Sequence, residues 1–211
     1  MRLSKIIYVP CAILLLSSAT VFAQGALLDK GQSGFGTQIG YAQGPESNVL
    51  QGTFVGTAVG LIDIGFFIAS INNDRRSSQT TVGFITEFYP VREDTNQIVP
   101  LNLSIFFQYG SAGADNLGTI GISVFKKMAV SRYSYKQPYL SLAKTWPSGF
   151  AERGEFAIEF GFTFAGKKGN SKIFSFTPSI AKSKDDIFIG LSVGFTFPVQ
   201  PQDQVKEEWG F

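Results

Sequence analysis

The stretch Ile187-Phe188-Ile189-Gly190-Leu191-Ser192-Val193-Gly194-Phe195-Thr196-Phe197 decides how the chain reads. Ile187, Ile189, Leu191, Val193, Phe195 and Phe197 share one parity, and Phe188, Gly190, Ser192, Gly194 and Thr196 share the other. Alternate side chains of a strand leave on opposite faces, so this is a strand with one wholly apolar side. Its other side is mostly small or polar. Segments like it recur along the chain, and little else is present that would make a large dry core. Together these features point to a closed sheet with lipid outside and small or polar groups inside.

Working outward, the same alternation defines about ten strands, near residues 34–43, 50–60, 62–71, 79–89, 100–110, 117–127, 137–146, 154–165, 171–182 and 186–197. In the first, Phe35, Thr37, Ile39 and Tyr41 oppose Gly36, Gln38, Gly40 and Ala42. In the third, Ile62, Ile64, Phe66 and Ile68 oppose Asp63, Gly65, Phe67 and Ala69. The fifth sets Leu103, Ile105 and Phe107 against Ser104, Phe106 and Gln108, and the eighth sets Phe156, Ile158, Phe160 and Phe162 against Glu155, Ala157, Glu159 and Gly161. Parity is ambiguous in the fourth and seventh. Pro178, which has no N–H for a ladder, marks a bulge or local break in the ninth. Gly-, Asn- and Pro-containing connections such as Gln43-Gly44-Pro45 and Gly169-Asn170 separate the strands.

The front end reads as a cleaved signal peptide over residues 1–23. Arg2 and Lys5 precede the apolar run of residues 6–16, and Val21-Phe22-Ala23 fits the small-residue cleavage rule. Residues 24–33 form a lead, residues 34–197 one barrel domain, and residues 198–211 a short polar tail. The full chain carries 18 basic and 16 acidic residues; without Arg2 and Lys5 the count is 16 and 16. A neutral mature chain with no basic patch gives no reason to expect nucleic acid. There is no histidine, and the single cysteine, Cys11, leaves with the signal peptide. Imidazole bases, thiolate nucleophiles, disulfides and Cys/His zinc sites are thereby excluded.

A bilayer tolerates only structures whose backbone groups are paired internally, so a membrane sheet must close. Strands of about 9–11 residues suit a tilted crossing. The aromatic residues Tyr41, Tyr109 and Trp146 at one end, and Tyr89, Phe164 and Phe197 at the other, are placed as interfacial belts. A rival reading makes residues 53–71 a membrane helix, with Gly52, Gly56 and Gly60 as a small-xxx-small stripe. Asp63 near its centre would cost about 2.5–3.5 kcal/mol, and three glycines disfavour a helix. As strands, the segment places Gly52, Gly56 and Gly60 on the lumen side, leaving room for Phe54 and Phe67, with a turn at Gly60-Leu61-Ile62.

From residue 34 to residue 197 the chain resembles small bacterial outer-membrane β-barrel proteins. The resemblance rests on the signal peptide, the strand pattern and the closing strand Gly190-Leu191-Ser192-Val193-Gly194-Phe195-Thr196-Phe197, which is similar to the aromatic-ended signal read by the barrel assembly machinery. It implies an all-β fold: a single antiparallel up-and-down transmembrane β-barrel of about ten strands, with eight as the alternative, in a Gram-negative-type outer membrane. It also implies outer-membrane lipid as surroundings and the assembly machinery as a partner during insertion. Here a tail follows the closing strand, and the inner connections, residues 90–99 and 127–136, are as long as the outer ones.

Asp63, Glu87, Glu155 and Glu159 are placed toward the lumen. They would make a cation-favouring interior, or simply bond to lumen water and side chains in a filled barrel. Their spacing does not require paired-carboxylate glycosidase chemistry. Ser104 or Ser123 as a nucleophile lacks an evident activator. Gly34-Phe35-Gly36 and Gly166-Lys167-Lys168-Gly169 lack the helix a phosphate loop needs. No enzyme activity, metal or cofactor is expected. The expected role is structural, narrow-pore or loop-mediated binding in the outer membrane. The alternative is a secreted soluble β-barrel that binds a small apolar ligand, which would turn its apolar face inward. Cargo, conductance, protein partners and oligomeric state are not legible.

Overall fold

The computed structural model describes residues 25–73, 76–92, 101–112, 115–131, 133–147, 154–168, 172–183 and 186–199. The expected signal peptide and the tail beyond residue 199 lie outside them. Eleven strands form: β1 (Ser33–Gln43), β2 (Ser47–Ala58), β3 (Ile62–Asn73), β4 (Arg76–Val91), β5 (Asn102–Ala112), β6 (Asp115–Phe125), β7 (Met128–Ser131), β8 (Ser134–Pro147), β9 (Glu155–Lys168), β10 (Lys172–Ser183) and β11 (Asp186–Val199). Ten of them close an antiparallel barrel. Each barrel strand pairs with the next along the chain, β6 passing over β7 to pair with β8, and β1 pairs with β11 to seal the cylinder. The count is therefore ten, not eight. The eleventh strand, β7, is a four-residue addition that pairs only with β8 at the rim. Ser33 lies opposite Val199, so β1 begins and β11 ends at one rim, called inner below.

The faces are inside-out relative to a soluble protein. In β11, Ile189, Leu191, Val193 and Phe195 point outward, with Ile189 66 % exposed, while Ser192 and Thr196 are buried in the lumen. Ile39, Ile64, Phe66 and Phe156 are likewise outward, each more than 60 % exposed. Gln38, Gln108, Ser104, Thr119 and Thr145 are buried inside. A soluble barrel binding an apolar ligand would show the reverse arrangement. A water-exposed patch of this extent would not be tolerated on a monomeric soluble protein, whereas in hydrocarbon it needs no cover.

No helix among the described residues is long and apolar enough to cross a membrane. Residues 53–71 instead form the β2–β3 hairpin, turning at Val59 and Gly60. Both have positive φ, 49° and 64°, and the Leu61 N–H closes the turn on the Ala58 carbonyl at 3.0 Å. Glycine adopts this conformation without a Cβ clash; Val59 does not, being β-branched. Here the sequence expectation needs correcting. Gly52 and Gly56 share parity with Leu50 and Phe54, and all four face outward. Gly60 lies in the turn, and Phe54 is 55 % exposed.

The lumen is filled instead by aromatic rings seated on other, inward glycines. A Cβ on Gly83 would fall 2.6 Å from the Phe67 ring, and one on Gly110 3.0 Å from it. The Phe106 ring covers Gly121, the Tyr139 ring Gly161, and the Phe188 ring Gly44. Each glycine thus supplies the volume that a ring from a neighbouring or facing strand occupies. Pro178 interrupts the β9–β10 pairing at Thr177 and Pro178 without shifting the register, so it makes a local break and not a bulge. Its chain neighbour Thr177 donates through its side chain to Thr163, Oγ1 to Oγ1 at 3.0 Å. Pro90 does sit in a register shift, between Phe88 and Val91 on the β4–β5 ladder.

These contacts set a paired expectation. Gly121→Ala drives a methyl group into the Phe106 ring and to 2.9 Å from the Ala143 Cβ, and should cost about 1–3 kcal/mol as overpacking. Gly52→Ala meets nothing nearer than Ile68 Cγ2 at 3.7 Å and should be neutral or slightly stabilising. Urea unfolding in detergent micelles, followed by tryptophan fluorescence, distinguishes the two.

Candidate functional site

The lumen is layered from the outer rim inward. At the outer end Ala42, Val49, Phe67, Ala69, Ile71, Leu117, Ala181 and Phe188 form one buried apolar cluster. Below it lies a polar zone. Gln38 Nε2 donates to Ser192 Oγ at 2.6 Å, Thr119 and Thr145 share a bond at 2.9 Å, and Ser123 and Ser141 share one at 2.8 Å. A cavity beside Gln51, Ser179 and Ser192 has a volume of about 20 Å³, room for about one water.

The carboxylates fall in three places. Asp63 and Glu87 are direct cross-strand partners on β3 and β4, and neither is exposed. The Tyr89 hydroxyl donates to Asp63 Oδ2 at 2.8 Å. Glu159 is buried on β9, five strands round the barrel from β3, and accepts from the Tyr139 hydroxyl at 3.1 Å. Glu155 is only half-buried, at the outer start of β9 opposite Thr145. The buried polar side chains include no lysine or arginine among the described residues. Arg92 approaches from the mouth, its guanidinium 5.1 Å over the Tyr89 ring.

Tyr89 therefore does not belong to the outward aromatics. It is 2 % exposed and points into the lumen. Tyr41, Tyr109 and Trp146 do face outward near the outer rim, and Phe164 and Phe197 near the inner one. No group of three or more Asp, Glu, His or Cys side chains is arranged to hold a metal among the described residues.

The inner mouth is closed by the lead, which pattern reading left without structure. Gly25–Leu27 forms one turn of 3₁₀-helix. Ala26 packs on Tyr89, Phe125 and Tyr139, and Leu27 and Leu28 pack on Ala165, Ile173 and Tyr135. Cations hold the strap's carbonyls: Arg92 donates to the Leu28 oxygen at 2.5 Å, and Lys127 reaches the Leu27 oxygen at 3.4 Å and the Asp29 carboxylate at 3.1 Å. The Tyr135 hydroxyl donates to the Leu27 oxygen at 3.3 Å. The strap also bridges to the β2–β3 turn. The Gly31 N–H bonds the Val59 carbonyl at 2.8 Å, and the Val59 N–H bonds Ser33 Oγ at 3.0 Å. These two bonds hold the left-handed Val59 in place. A Cβ on Gly60 would fall 2.5 Å from the Asp29 oxygen, so only glycine fits beneath the strap. The apolar triplet Ala26-Leu27-Leu28 was the available signal for this plug, but it is too short to show a period.

A closed barrel with an apolar exterior, a polar lumen and an even strand count is the outer-membrane architecture, and this chain is a small outer-membrane β-barrel protein. No protein-family model matches it, and no curated protein matches its sequence. Among solved structures it is similar to a KdgM porin in complex with disordered oligogalacturonate (TM-score 0.46, 6 % identity, 78 % of this chain and 99 % of that one). It is also similar to the translocator domain of the autotransporter NalP from Neisseria meningitidis (0.41, 11 %, 88 % and 93 %). A third is Ail, the attachment invasion locus protein of Yersinia pestis (0.37, 8 %, 81 % and 100 %). Scores and identities this low transfer nothing to this chain; its class follows from its own inside-out barrel.

The Asp63–Tyr89 bond gives a direct expectation. Tyr89→Phe removes the donor to a buried carboxylate and should destabilise the barrel by about 1–3 kcal/mol. Tyr41→Phe loses only a surface bond to Gln43 and should change stability by under about 0.5 kcal/mol. Both are read from urea unfolding in the same micelles.

Proposed function

We propose that this protein is a non-enzymatic barrel of a Gram-negative-type outer membrane. In this reading the wall and rim connections carry the role, and the lumen is not a conduit. The observation that carries it is the double closure. The apolar cluster around Phe67 and Phe188 fills the outer end, and the strap Gly25–Leu27 with Leu28 fills the inner one. Between them rings seated on glycines occupy the space a solute would need. A ten-stranded barrel is only a little wider than one whose interior is just filled by side chains, so these rings suffice to block it. The non-enzymatic part rests on the chain's composition. No histidine is present, and the buried acids, the Asp63–Glu87 pair and Glu159 across the barrel, bond to tyrosine hydroxyls without an activated nucleophile beside them.

A second reading, a narrow cation-favouring pore, is supported by the surplus of buried carboxylates over cations in the lumen. It would require the strap and Phe188 to move together. Planar-bilayer recording of the purified full chain in 1 M KCl separates the two. The closed reading expects no steady conductance steps above baseline. Reproducible unitary steps with cation selectivity would replace it with the pore.

A further inference from the structure

The outward face is not uniformly apolar. On adjacent strands β8, β9 and β10 the outward residues between the rims are Pro138, Leu140 and Leu142, then Phe156, Ile158, Phe160, Phe162 and Phe164, then Phe174, Phe176, Pro178 and Ile180. Lysines stand at the ends of this panel. Lys136 and Lys144 bound it on β8, and Lys172 and Lys182 bound it on β10. Lys136 and Lys144 are eight residues apart, and Lys172 and Lys182 ten. At about 3.3 Å per residue and a tilt of about 40°, these intervals rise about 20–25 Å, close to the height of a barrel's apolar band. The four ammonium groups therefore fall at headgroup level, two at each interface. No Asp or Glu occupies an outward position on the described parts of these strands. The outward faces of β1, β2, β3 and β5 carry no lysine or arginine among the described residues.

The outer pair is the better formed. Lys144 and Lys182 flank β9, level with Phe156 and Ile158 respectively. At the usual strand spacing they stand about 10 Å apart laterally, a gap that two long side chains can close around one group. Lys144 Nζ lies 5.0 Å over the Trp146 ring and 5.1 Å over the Phe156 ring. Its stem therefore runs along apolar surface while its charge is held at the interface. Lys182 is exposed. Two outward cations, with aromatic surface between them and no acid beside them on that face among the described residues, fit a phosphate whose acyl chains lie down the panel.

We propose that Lys144 and Lys182 form a binding site for the phosphate of a lipid headgroup, with the β8–β10 panel receiving the acyl chains. The anion is a membrane lipid's own phosphate. A lysine close to an anionic membrane surface is worth about fivefold in binding, so the pair gives preference for anionic over zwitterionic lipid on this sector alone. The site rests on the transmembrane placement of the panel, but not on whether the lumen conducts.

The test uses the full chain carrying Trp209→Phe, so that Trp146 is the single tryptophan. It is reconstituted into vesicles containing dibrominated phosphatidylglycerol or dibrominated phosphatidylcholine, and bromine quenching of Trp146 gives the relative occupancy of the adjoining site. The expected preference for phosphatidylglycerol is at least about threefold. It should fall toward one in Lys182→Gln, a residue that does not touch Trp146, and in Lys144→Gln with Lys182→Gln. It should be unchanged in Lys30→Gln at the mouth. Equal quenching by the two lipids in the parent protein overturns the site, as does a preference that survives loss of both lysines. Heat-modifiable migration on gels confirms insertion of every variant, and loss of quenching by both lipids would overturn the transmembrane placement itself.

Discussion

Hydrocarbon offers no partner to a backbone N–H or carbonyl, and each unpaired group there costs several kcal/mol. Every other feature of this barrel answers that constraint. The seam of β1 with β11 removes the two edges that chain order would otherwise leave, and β6 reaches past β7 to β8 to complete the ring. Once the sheet is closed, its outer parity is committed to lipid and its inner parity to a narrow interior. Two-residue periodicity then fixes the chemistry of nearly every strand position.

The interior is solved by pairing large with small. Phe67 against Gly83 and Gly110, Phe106 against Gly121, and Tyr139 against Gly161 fill the cylinder without widening it. The acids are placed where hydroxyls can reach them, as with Tyr89 on Asp63 and Tyr139 on Glu159. The bulge at Pro90 turns the end of β4 over the mouth, where Arg92 meets both the Tyr89 ring and the Leu28 carbonyl. Strap, turn and acidic pair are thus one connected structure at the inner end. Gly60, left-handed and in contact with Asp29, lies at the junction of strap and turn.

Much of this was legible in the chain. The ten strands that close the barrel fall within a few residues of where alternation places them, because period two survives even where one face is glycine. Two placements differ because strand parity binds residues two apart. Glu87 and Tyr89 share a face, so a carboxylate in the lumen carries Tyr89 there and away from an interfacial belt. Gly52 and Phe54 likewise share the outward face, and small size alone does not direct a glycine to the lumen. The strap, the short β7 and the ring-on-glycine contacts were not legible. They depend on which residues meet across strands far apart in sequence, such as Arg92 with Leu28, and a single sequence does not record that pairing.

The central claim is that Ile189, Leu191, Val193 and Phe195 face hydrocarbon while Gly190, Ser192 and Gly194 face a packed lumen. Single-cysteine spin labels across positions 189–195, in the mature chain reconstituted in vesicles, test it most directly through relative accessibility to oxygen and to a water-soluble nickel chelate. Oxygen accessibility should alternate with a period of two, high at 189, 191, 193 and 195, with little access for the nickel chelate at those four. Strong nickel accessibility at 189–195 on the apolar parity, or a period near 3.6, would contradict it.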